Sequence, residues 1–221
     1  MAQSPSLPWF DPLLARLRAH LAAEAFPRDA AHDLGHILRV ARLAADLAAE
    51  EGADAEVCVA AALLHDLVYL PKNHPESSLT ARLAAELVPC WCREIPGLED
   101  KAEAVAAAVA THSWSGGQAP GSLEAAVVQD ADRLEALGAI GIARVFATGA
   151  SFGAGLWHPE DPWAEGRELD DKAWSLDHFE RKLLKLAAAM TTSAGRRRAQ
   201  ARQATMTAYL AALRQELDPG R

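Results

Sequence analysis

Residues 58–70 read CVAAALLHDLVYL. Every residue but His65 and Asp66 is hydrophobic, so an imidazole and a carboxylate stand side by side in a segment built for burial. Alanine and leucine dominate this run, as they do the chain, and β-branched residues are sparse, a composition that favours helix. Enclosing two polar groups in such a helix costs stability unless something satisfies them. What they meet inside the protein decides how the rest of the chain is read.

Helix signals continue on both sides of the run. A first helix is predicted over 11–25, stopping near Pro27, and a second over about 32–51. Gly52 suits the left-handed position after that second helix, and Asp54 suits the cap of the next. That next helix holds the quoted run and is expected to reach about 69, before Pro71. Further helices are predicted at about 76–91, 98–112, 122–148, 176–191 and 194–217. Alternating strand patterns and Asn-Gly hairpin signals are absent. The chain therefore reads as all-α, one helical-bundle domain over 1–221. Its core spans about 30–148, followed by an irregular loop over 149–175 and C-terminal helices over 176–217. A loop of that length, rich in Gly, Pro, Trp and acid, suits a functional lid; an ordered surface excursion fits equally well.

With 221 residues, half of them hydrophobic, the chain can bury a substantial core. A formal charge of −8 argues against non-specific binding to a nucleic acid polymer or an anionic membrane, since both demand a basic face. No early segment has the form of a signal peptide, and no apolar run nears the roughly 20 residues that span a bilayer. Cys90 and Cys92 flank Trp91; with an odd third cysteine, reduced thiols in a cytoplasmic protein fit them better than a metal or redox pair. Arg196, Arg197 and Arg198 read as solvated helix surface.

Three further polar points interrupt apolar helical surroundings. His36 lies in AHDLGHILRV, with Arg39 three residues on and so on its face. His112 ends VAAAVATH, and Asp130 and Asp132 break VVQDADRLEALGAIGIARVF. A single buried histidine is usually a satisfied core residue. Here that reading must be invoked repeatedly, whereas one divalent cation would satisfy imidazole and carboxylate together. Such nitrogen and oxygen donors suit Mn²⁺, Fe²⁺, Co²⁺, Ni²⁺ or Zn²⁺. On one helix Asp130 and Asp132 lie about 200° apart, so only one faces a given site. Asp132 is preferred, because its neighbours Ala136, Ala139 and Ala143 leave room; Asp130 is left to cap or brace a ligand.

His36, His65-Asp66 and Asp132 resemble the H…HD…D pattern of the HD-domain superfamily of metal-dependent phosphohydrolases. AHDLGHILRV, LLHDLVYLPKNHPESS, VQDADRLEALGAIGIARVFATGA and LDHFERKLLKL look like the small bacterial HD hydrolases of the YedJ and YpgQ type, over nearly the whole chain. The resemblance implies an all-helical bundle binding one divalent metal through His36, His65, Asp66 and Asp132. Mn²⁺ is the first choice, since two histidines disfavour Mg²⁺. It implies hydrolysis of phosphate compounds by activated water, with Asp66 also orienting that water. It favours nucleotides, and pyrophosphate release from nucleoside triphosphates over phosphate release from monophosphates.

An acidic protein also needs cations for a phosphate. Arg39, Lys72 and Asn73 are the candidate substrate contacts, and Lys72, His112 and His74 the candidate acids for the leaving group. His112 serves equally as a substrate contact or a satisfied helix-end residue. Trp157, Trp163 and Trp174 suit base stacking less well than packing or an oligomer contact. Three rivals remain: a nucleotide-binding sensor without turnover, a two-iron oxidative enzyme needing more ligands than the sequence offers, and a bundle with buried ion pairs.

Overall fold

The computed structural model describes residues 7–24, 27–71, 74–113 and 117–218. The chain divides into two compact units, Met1–Arg28 with His32–Asp132, and Asp29–Ala31 with Arg133–Arg221. Among the described residues the regular structure is helical; Gly155 and Trp174 form an isolated β-bridge and no strand is assigned. No single described helix is long and apolar enough to cross a membrane.

The first unit holds α1 (Phe10–Ala22), α2 (Leu34–Glu51), α3 (Ala55–Leu64), α4 (Thr80–Arg93), α5 (Ala102–Ala110) and most of α6 (Leu123–Glu135). Every residue of α3 from Val57 to Leu64 is buried, so this helix needs no polar face. It runs between α2 and α5, with α1 also packed on it. Truncating Leu63 or Leu64, both fully buried, would cost about 2–5 kcal/mol.

The turn between α2 and α3 follows the sequence reading. Gly52 takes φ 75°, and its N–H reaches the Ala48 carbonyl. The Asp54 carboxylate accepts the Glu56 and Val57 amides at 2.9 and 3.2 Å. Lys101 grips the same carboxylate at 2.7 Å.

Two predicted helices end early. The one expected to reach 69 stops at Leu64, with His65 as its C-cap. Pro71 has no N–H for the Leu67 carbonyl, and His20 of α1 takes that oxygen at 2.8 Å. Arg28 takes the Asp66 carbonyl at 2.5 Å. Side chains thus replace the helix's own donors, and the chain turns at 65–68. The long helix expected at 122–148 is two helices, α6 and α7 (Gly138–Ser151). Gly138, at φ 72°, supplies the left-handed residue after the break, where an added Cβ would meet the Arg202 side chain at 3.2 Å. Ala139 and Ala143 therefore do not share a helix with Asp132, which removes that part of the argument for its position.

The second unit contains α7, the short α8 (Asp177–Arg181), two 3₁₀ turns at Leu183–Lys185 and Ala187–Ala189, and α9 (Ser193–Leu217). A continuous helix over 176–191 is not formed. Phe146, Phe179 and Tyr209 cluster with ring centroids 6.1–6.4 Å apart. The irregular 149–175 region is tied down by its own polar groups. Arg167 forks onto Asp177 at 2.5 and 2.7 Å, and the Asp161 carboxylate accepts the Glu165 and Gly166 amides at 2.9 Å. Two of its tryptophans find partners within the unit: Arg214 lies 4.3 Å over the Trp163 ring, and Trp174 meets His158 edge-on.

Candidate metal centre

Four side chains from α2, the end of α3 and α6 converge inside the first unit. His36 sits in the first turn of α2, whose cap is Asp33; the Asp33 carboxylate accepts the His36 amide at 2.8 Å. His65 closes α3 and Asp66 follows in the turn, so the early end of that helix sets both at the edge of the core. Asp132 projects from the last turn of α6.

The His65 ring places Nδ1 2.7 Å from the Ala62 carbonyl. An oxygen acceptor at that distance requires an N–H on Nδ1, so in the neutral ring Nε2 carries the lone pair. Nε2 of His36 lies 3.3 Å from it. Asp66 Oδ2 lies 3.5 Å from His65 Nε2 and 3.8 Å from His36 Nε2. Asp132 Oδ1 lies 3.5 Å from His36 Nε2 and 3.9 Å from His65 Nε2. These nitrogen-to-oxygen separations are too long for good hydrogen bonds. Ligand atoms about 2.1 Å from a shared cation lie about 3–4.2 Å from one another, and the observed spacings fall in that window. Among the described residues, His36, His65 and Asp66 form a group whose ligand atoms all lie within 4.8 Å of one another and so fit a divalent ion, with Asp132 adjoining it on the histidine side. The histidines are 1% exposed, whereas Asp66 and Asp132 are 18% and 26% exposed, so the carboxylates form the open side.

The electrostatics match. Burial pushes the Asp66 carboxyl up, but His65, His36, His32 and His112 outweigh it and hold it well below the usual carboxylate range. Burial likewise opposes ionisation of Asp132, while His65, His36 and His112 bring it down to about 2, against the smaller upward push of Asp66. Both carboxylates are ionised and ready to bind a cation. His112 is driven toward its neutral form by burial and by His65, against the pull of Asp132 and Asp66. Its Nδ1 donates to the Val109 carbonyl at 2.7 Å, so Nε2 faces the centre, 4.0 Å from Asp66 Oδ1.

The other expected residues divide. Asp130 is fully buried in α6. Arg39 is partly exposed one turn beyond His36, its guanidinium near Gly35, where an added Cβ would lie 3.2 Å from Nη1. His74 accepts the Glu76 amide at 3.2 Å. Lys72 and Asn73 lie outside the described residues. Cys90 is exposed and bonded to Glu94, while burial lifts the Cys92 thiol to about 11.

Three contributors escaped the sequence reading. His32 is buried, its ring 5.9 Å from His36 and 6.0 Å from Tyr69. Gln129, also buried, donates to the Thr111 and Gln118 carbonyls at 2.7 and 3.2 Å and so anchors the segment that carries His112. Arg28 donates to the carbonyls of both Asp66 and His32. The four-residue step from His32 to His36, inside the helix predicted over about 32–51, was the available signal and was not used; in the structure His32 precedes α2, which starts at Leu34.

Comparison with known proteins places this centre in a family. Residues 33–137 match the HD domain. YpgQ of Bacillus subtilis is 33% identical over 193 residues, 86% of this chain and 85% of that protein. The chain belongs to the HD-domain family. The crystal structure of YpgQ in complex with ADP superposes with a TM-score of 0.71 at 30% identity, covering 95% of each chain. An HD-superfamily hydrolase from Bacillus thuringiensis gives 0.69 at 31% identity, over 94% of this chain and 96% of that one. The fold is thus the all-α fold of the HD-superfamily hydrolases.

Proposed function

We propose that this protein is a metal-dependent phosphohydrolase acting on nucleotides, with release of pyrophosphate from nucleoside triphosphates as the favoured reaction. The carrying observation is the pair of imidazole nitrogens 3.3 Å apart, with the carboxylates of Asp66 and Asp132 each within 4 Å of both. His36, His65, Asp66 and Asp132 would hold the ion, Mn²⁺ being the first choice for two nitrogens and two oxygens. When bound, a divalent cation supplies Lewis acidity, lowering the pKa of water and drawing charge from a phosphoryl group.

The chain's own groups do the rest. Asp66, on the open side, orients the attacking water as well as ligating. His112, neutral and 4.0 Å from Asp66, is placed to move a proton at Nε2. Arg39 and Lys72 supply positive charge for phosphate oxygens, with Asn73 as a hydrogen-bonding partner. A nucleotide is favoured because the relative YpgQ was crystallised with ADP.

The test is a panel of nucleoside mono-, di- and triphosphates with Mn²⁺, Co²⁺, Ni²⁺ or Mg²⁺, with products identified. Pyrophosphate from triphosphates is expected. Phosphate from monophosphates would redirect the substrate assignment, and binding without turnover under every metal would replace the enzyme by a sensor.

A further inference from the structure

Arg28 uses its guanidinium on four oxygens at once. Nε and Nη2 donate to the Glu24 carboxylate at 2.7 and 2.6 Å. Nη2 also donates to the Asp66 carbonyl at 2.5 Å, and Nη1 to the His32 carbonyl at 3.2 Å. Both charged side chains are nearly buried, 8% exposed for Arg28 and 12% for Glu24. The guanidinium also lies 5.1 Å over the Tyr69 ring. Enclosing an ion pair is no stability gain over well-packed apolar residues of the same size. What it adds here is direction.

The two carbonyls belong to the segments that deliver the ligands. Asp66 is itself a proposed ligand, and Arg28 takes the oxygen released where α3 stops one residue before His65. His32 immediately precedes Asp33, the cap that fixes the His36 amide. One planar fork therefore spans the start of α2 and the exit of α3, the two places from which His36, His65 and Asp66 emerge. Glu24 locks the plane of that fork.

We propose that the Glu24–Arg28 pair is a positioning device for the metal centre, setting the spacing between the His36 and His65-Asp66 segments. Arg28 touches no ligand atom and acts through backbone. The inference rests on the metal reading above. A lysine keeps the charge but offers a single point and cannot hold both carbonyls with Glu24.

The experiment compares wild-type protein with Arg28→Lys, Arg28→Met, Glu24→Gln and Asp66→Ala. Mn²⁺ affinity is read by calorimetry, Co²⁺ ligand-field absorption reports the centre's geometry, and circular dichroism reports helix content. Misplaced supporting groups typically weaken metal binding about 10–100-fold. Arg28→Met is expected within that range with an altered Co²⁺ spectrum, Arg28→Lys to be weakened less, and Glu24→Gln least, all with native helix content. If Arg28→Met does not fold, the milder Arg28→Lys and Glu24→Gln decide by the same readouts. Folded Arg28 and Glu24 variants with wild-type affinity and spectrum overturn the positioning role alone. A wild-type protein that binds neither ion, or an Asp66→Ala variant that binds as well as wild type, overturns the metal reading and this inference with it.

Discussion

Asp177 and Asp66 are both carboxylates drawn into apolar helical surroundings, and they are met by opposite kinds of partner. Asp177 receives a guanidinium fork from Arg167 at 2.5 and 2.7 Å and the Asp170 amide at 2.7 Å. Asp66 faces imidazole nitrogens at 3.5–4.0 Å and sits in a partly open position beside a second carboxylate centre. A carboxylate saturated by donors has its charge matched within the fold and acts as a structural tie. One that faces imidazole nitrogens belongs to a donor set that a divalent cation would satisfy. The difference separates a brace from a site.

That comparison can be broken from either side. The largest effect is expected at the centre itself. Asp66→Ala or His65→Ala should remove bound Mn²⁺ and lower hydrolysis at least about 100-fold with helix content retained, since loss of even an outer-shell partner costs 10–100-fold. Elemental analysis and circular dichroism check both halves. Wild-type metal content in either variant would make Asp66 a brace like Asp177.

At the other carboxylate the order reverses. Asp177→Ala removes the acceptor of the part-buried Arg167 fork and of the Asp170 amide and should cost about 1–3 kcal/mol in urea unfolding, while metal stoichiometry stays at the wild-type value. A loss of metal with little loss of stability would erase the distinction.

Acid titration sharpens it further. In metal-free protein Asp132 ionises at about 2, below an ordinary aspartate at 3.8. Its contribution, about 2 kcal/mol, should be present above the ordinary value and vanish as pH falls toward 2. Asp132→Asn should flatten that part of the stability curve; an unchanged slope would place the histidines away from Asp132. The smallest effect is expected at Gln129. Removing its two bonds to carbonyls with Gln129→Ala should cost about 1–2 kcal/mol and lower kcat more than it raises KM, through His112.

Much of this was legible in the sequence, because some signals are local and chemical. Gly52 and Asp54 announced a turn that backbone sterics and capping dictate. His65 and Asp66 stood out because burial penalises them, and His36 and Asp132 because the same penalty recurs at intervals matching a known family. The end of α3 was not legible: Leu67, Val68 and Tyr69 continue the apolar pattern, and the donors that stop the helix come from His20 and Arg28, distant in sequence. The break before α7 hid likewise, since Ala136 and Leu137 are good helix formers. Glu24 and Arg28 have the four-residue spacing of an ordinary ion pair, and nothing local in the sequence tied Arg28 to the carbonyls of Asp66 and His32 across the fold.

The central claim, that these polar groups assemble around one cation, is tested most directly by anomalous scattering from a crystal soaked in Mn²⁺. A manganese peak bounded by His36, His65, Asp66 and Asp132 is expected. A fully soaked crystal with no peak there, and with these side chains bonded only to one another, would contradict it.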